Sequence, residues 1–81
     1  MEINEIYQRL NRIFRDVFRD PSLTVGPYTV IRDIEDWDSL EHFSLIAAIE
    51  RAFRLKFRAG EISSMKTVGD IAAILQARCK L

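Results

Sequence analysis

The chain has 81 residues, 48% of them apolar and 30% charged; this is enough for one modest core, argues against wholesale disorder, and reads residues 1–81 as a single domain. Twelve basic residues balance twelve acidic ones, and zero net charge argues against nucleic acid or an anionic membrane as partner. The one cysteine, Cys79, excludes an internal disulfide and a cysteine zinc site. Without a signal-peptide pattern or a long apolar run, the expected setting is reducing and cytoplasmic.

Residues 3–18 carry a helical period. Ile3, Ile6, Tyr7, Leu10, Ile13, Phe14, Val17 and Phe18 recur at steps of three and four. Arg9, Arg12, Arg15 and Arg19 fall on the other side and read as a solvated face, partly balanced by Glu5 and Asp16. Asp20-Pro21 stops the helix. Residues 20–37 then lack a helical period, and Pro21, Gly26 and Pro27 punctuate them. A loop this long in so small a domain is anchored or functional. Leu23, Val25, Val30, Ile31 and Ile34 offer anchors, so the loop is expected to lie over the core. Residues 28–34 suit a brief extended run with no obvious partner strand.

A second helix is predicted from Asp38, whose side chain can accept from the N–H of residue 40 or 41. Glu41 stands three residues on, a capping-box arrangement with aspartate as the cap. Leu40, Phe43, Ile46, Ile49 and Phe53 form its predicted buried stripe, with Leu45 and Ala52 beside it. The stretch from Leu55 to Gly60 reads as a connection anchored by Phe57, and Glu61 to Met65 as one or two helical turns. Thr67 with Asp70 opens a last helix, with Val68, Ile71, Ala72, Ile74 and Leu75 on its apolar face. The fold class is therefore all-α: a four-helix bundle with a long first loop and a short third helix.

Little here suggests self-contained catalysis. His42, the one histidine, stands three residues after Ser39, but a Ser–His pair still needs an orienting acid, an oxyanion hole and a concave site. The acidic stretch Asp33, Glu35, Asp36, Asp38 and Glu41 does not match a calcium-loop spacing, so no metal site is expected. Arg51, Arg54, Lys56 and Arg58 leave a helix-turn-helix DNA reader as a structural competitor. They fall at the end of a helix, however, not at the start of a recognition helix. A small helical adaptor domain, in which Asp38-Ser39-Leu40-Glu41 is only a cap, remains the main alternative.

Asp38-Ser39-Leu40 at a mid-chain helix start, Ile34 to Leu40 in the form I-x-x-W-D-S-L, the helix Phe43 to Phe53, and the ending Met65 to Ile71 together resemble the acyl carrier proteins and related peptidyl carrier domains. The resemblance covers nearly the whole chain. It implies that Ser39 carries 4′-phosphopantetheine donated by coenzyme A, holding an acyl or aminoacyl intermediate as a thioester, with Asp38 fixing the helix start and Leu40 turned to the core. It also implies a carrier and not an enzyme, a monomer served by a phosphopantetheinyl transferase and by acyl-loading and acyl-using enzymes. Phe43, Ile46, Ile49, Phe57 and Met65 are candidate walls for the acyl chain, and Trp37 is expected to pack toward His42 or Phe43. The family's usual second helix is strongly acidic. Here Glu41 and Glu50 remain, while His42, Ala47, Arg51 and Arg54 dilute the charge. These six are the expected partner-docking residues, suited to a dedicated fatty-acid, polyketide or related pathway.

Overall fold

The helical period of the first segment becomes α1, Ile3–Phe18, in the computed structural model, which describes residues 2–79. Ile6, Leu10, Phe14 and Phe18 face inward, one per turn. Arg19 then ends the helix in the left-handed region (φ 55°, ψ 40°) just before Asp20-Pro21. Three more helices follow: α2, Ser39–Phe53; α3, Ala59–Ser64; and α4, Val68–Arg78. Helix α1 packs on both α2 and α4, and their inner faces meet in one core that includes Leu45, Ile49, Val68, Ile71 and Leu75. The all-α bundle with its short third helix is thus the observed architecture. Helix α3 begins two residues earlier than the sequence suggests and stops before Met65, which is buried just beyond it.

The loop between α1 and α2 lies over this core. Val25 and Ile31 are buried and Leu23 and Ile34 half-buried, but Val30, expected as an anchor, is 39% exposed. Asn11 on α1 clamps the loop with both ends of its amide. Its Oδ1 accepts from Val25 N at 2.7 Å, and its Nδ2 donates to Val25 O at 3.2 Å. The Arg15 guanidinium adds a bond from Nε to Leu23 O at 2.6 Å.

The predicted extended run at 28–34 is corrected on two counts. Residues Ile31–Asp33 make a single 3-10 turn, and Val30 does find a partner, in an isolated antiparallel bridge with Thr67. The partner is the extended cap in front of α4. Three backbone bonds seal the contact: Ile31 N to Lys66 O (3.1 Å), Val68 N to Thr29 O (2.9 Å) and Gly69 N to Pro27 O (3.1 Å). The last approach is possible because residue 69 lacks a side chain. A Cβ there would lie 2.5 Å from Pro27 O.

Candidate functional site

Asp38 sets where α2 begins. Its backbone is extended (φ −148°, ψ 178°), and its Oδ1 accepts from Glu41 N at 2.7 Å. That is the forward half of a capping box; among the described residues the return bond, from Asp38 N to the Glu41 carboxylate, is not made, whereas Thr67 and Asp70 close the full box at α4. Ser39 is therefore the first residue of α2. It is exposed, and its hydroxyl enters no hydrogen bond among the described residues. The free N–H groups and positive dipole end of the helix surround it.

Leu40 does not turn to the core: it is 73% exposed, and Phe43 is 72% exposed. The reason is rotational. At ~100° per residue the buried arc of Leu45, Ile46, Ile49 and Phe53 is centred over position 42, leaving Leu40 roughly opposite and Phe43 off its edge. Ala52, expected beside the stripe, is exposed as well. His42 takes the inward place at the first turn.

That placement turns one of the six expected docking residues, His42, partly inward. His42 is half-buried, its Nδ1 is closed to solvent without a hydrogen-bond partner, and its ring meets Trp37 edge to face with centroids 5.9 Å apart. Trp37 thus packs toward His42, as expected, and Arg32 lies over the indole at 5.7 Å. Glu50 is half-buried, its Oε2 accepts from Phe57 N at 2.8 Å, and it lines one surface depression with Ala47, Arg51 and Arg54. Ala47, Arg51 and Arg54 remain exposed on the outer side of α2, and Glu41 is half-buried near its start.

A groove of about 630 Å³ opens beside Ser39. Val30, Ile31, Phe43, Ile62 and Met65 give it apolar walls, and Arg32, Trp37, His42, Ser63 and Lys66 supply the polar atoms. Of the candidate acyl walls, Phe43 and Met65 line it. Ile46, Ile49 and Phe57 belong to the closed core instead. A larger depression of about 760 Å³ lies along the arginine face of α1, among Arg12, Arg15 and Asp16, and shares no lining residue with the groove. It lacks the apolar walls an acyl chain requires. Two groove residues, Arg32 and Lys66, are invisible as site residues in the sequence, because only the bridge between Val30 and Thr67 brings their segments together.

A solution NMR structure of a holo acyl carrier protein from Geobacter metallireducens superposes on this chain with a TM-score of 0.81. It is 39% identical and covers 88% of this chain and 82% of its own. The chain belongs to the acyl carrier protein family. No protein-family model and no curated protein matches it in sequence. The exposed Ser39 hydroxyl, unengaged by neighbours and set at a helix start beside an apolar groove, suits attachment of a phosphate-linked arm. Among the described residues no helix is long and apolar enough to cross a membrane.

Proposed function

We propose that this acyl carrier protein is a single-domain monomer that bears 4′-phosphopantetheine on Ser39 and presents an acyl group to partner enzymes in the cytoplasm. The observation that carries the reading is the exposed, unbonded Ser39 hydroxyl at the first residue of α2. In the loading step the Ser39 oxygen attacks the coenzyme A phosphorus that bears the pantetheine. A new O–P bond forms, the diphosphate P–O bond breaks, and 3′-phosphoadenosine 5′-phosphate leaves. The serine proton passes to a base on the phosphopantetheinyl transferase, so no base is needed beside Ser39 here. The phosphodiester formed is an anion at a helix N-terminus, favoured by roughly 0.3–1 kcal/mol at an exposed site. When bound, the group supplies a terminal thiol on a flexible arm, which holds an acyl chain as a thioester. Tethering raises the effective concentration of that chain at each partner.

Asp38 positions Ser39 by fixing the helix start, and exposed Leu40 and Phe43 stand beside the attachment point as apolar contacts for the transferase or a partner enzyme. Ala47, Arg51, Arg54 and the edge residue Glu41 make a docking face of mixed charge. This favours dedicated acyl-loading and acyl-using enzymes of one specialised fatty-acid, polyketide or related pathway. Incubation with coenzyme A and a broad-specificity phosphopantetheinyl transferase, followed by intact mass, tests the attachment. A gain equal to one phosphopantetheine, lost in Ser39→Ala, supports it; no gain with the unsubstituted protein refutes it. Arg51→Glu with Arg54→Glu is expected to slow acyl loading by the cognate enzyme, and unchanged loading kinetics would remove the docking assignment.

A further inference from the structure

The polar lining of the Ser39 groove is one-sided. Arg32 and Lys66 enter it and no carboxylate does. This is not a consequence of composition, since Asp33, Glu35 and Asp36 follow Arg32 directly. The 3-10 turn at Ile31–Asp33 separates them: Arg32 goes to the groove, while Asp33, Glu35 and Asp36 line a different depression with Phe18, Asp20 and Leu23. Asp38 is taken up by Glu41 N. Asp70, the carboxylate that feels the Lys66 charge, has Oδ2 engaged by the N–H groups of Lys66 and Thr67. Neither Arg32 nor Lys66 is in an ion pair among the described residues. Trp37, which lines the groove under Arg32, keeps its buried indole N–H, Nε1, without an acceptor. A buried donor without a partner is uncommon in a native fold.

We infer that the groove receives an acyl cargo whose far end is a carboxylate, folded back from the arm so that its chain lies on Val30, Ile62 and Met65 and its anion meets Arg32 and Lys66. This rests on the attachment at Ser39 and narrows it to a cargo class. A plain hydrocarbon tail would satisfy the apolar walls but make no use of the two exposed cations at the rim. A carboxylate at the rim can accept from both cations, and its charge-assisted bonds are the stronger kind. Two sites of positive charge at one rim also disfavour any cargo ending in an amine.

The test uses the full-length protein loaded, by transfer from the corresponding coenzyme A thioesters, with the bare arm, with hexanoyl, or with adipoyl, which has the same carbon count and a free terminal carboxylate. Loading is verified by intact mass, and ¹H–¹⁵N spectra are compared at low and high salt. The adipoyl form is expected to shift the Trp37 indole and the Arg32 and Lys66 signals beyond the hexanoyl form. High salt should diminish the difference, and Arg32→Gln with Lys66→Gln should abolish it. Equal shifts for adipoyl and hexanoyl would overturn the inference. So would shifts complete with the bare arm, which would assign the cations to the phosphodiester. A protein that gains no mass fails at the earlier step and takes the Ser39 attachment down with it.

Discussion

Trp37 and His42 meet edge to face with ring centroids 5.9 Å apart, and each keeps a buried ring nitrogen without a hydrogen-bond partner. Stability alone would select an apolar residue at position 42, the inward-facing place of the first turn of α2. His42→Leu, similar in volume and a better helix former, is expected to stabilise the protein by about 1 kcal/mol in urea unfolding, because it removes an unsatisfied buried nitrogen. A loss of stability would show that Nδ1 is satisfied after all. A histidine kept at this cost is consistent with a site beside the groove, where local rules yield to function.

Two glycines should respond in opposite directions to the same substitution. Gly69→Ala places a methyl 2.5 Å from Pro27 O and must push apart the loop and the start of α4. Overpacking of this kind costs about 1–3 kcal/mol. Gly60 lies within α3 with nothing within 4 Å of a built Cβ, so Gly60→Ala is expected to gain about 0.5–1 kcal/mol through helix propensity. Thermal melts of the two variants should bracket the parent. Equal shifts would mean that the Pro27 contact is not made in solution.

The parts of the fold that follow from short-range pattern were legible in the sequence. The first helix shows its bounds because Ile6, Leu10, Phe14 and Phe18 repeat against charged neighbours, and Thr67 with Asp70 announces α4. The second helix was misread in rotation. Apolar Leu40 and Phe43 continue the three-residue step of Ile46 and Ile49, so a stripe drawn from position 40 looks like a core face. The actual core arc runs through Leu45 and Phe53, and the two outer residues are apolar surface. Nothing local distinguishes the two stripes. The position of Ser39 depends only on a cap and was readable. The cationic rim, by contrast, depends on a bridge between residues 30 and 67, which no periodicity encodes.

Asn11 is another residue whose role comes from such through-space pairing. Its amide donates to Tyr7 O and Val25 O and accepts from Val25 N, joining α1 to a loop segment 14 residues away. Asn11→Ala leaves the N–H and C=O of buried Val25 without their partners, which costs about 1–3 kcal/mol. Hydrogen exchange should locate the effect, with the Val25 amide losing protection ahead of the α1 amides. If Val25 protection is unchanged, the loop is held by the contacts at Pro27 and Thr29 instead.

The box at the start of α4 gives the protein part of its acid sensitivity. The N–H of Lys66 and the N–H of Thr67 both donate to Asp70 Oδ2 at 3.0 Å, and these bonds hold the Asp70 carboxyl below its ordinary 3.8. A folded-state value below the unfolded one means that the unfolded chain takes up the proton first. Stability from this group is therefore full above the ordinary value and is lost as pH falls through the lowered one. Asp70 is half-exposed, so solvent screening keeps the contribution modest. Asp20, held low by Ser22, adds an acid slope of its own, so the informative quantity is the difference between variants. Asp70→Asn retains an acceptor for the two N–H groups and cannot titrate. Its melting temperature should fall less steeply than the parent's between pH 5 and pH 3, while at neutral pH the two proteins should differ in stability by about 1 kcal/mol or less. Parallel curves through the acid range would show that the box does not discriminate the ionised carboxylate, and the pinning of Lys66 at the groove rim would then rest on its backbone bond to Ile31 alone.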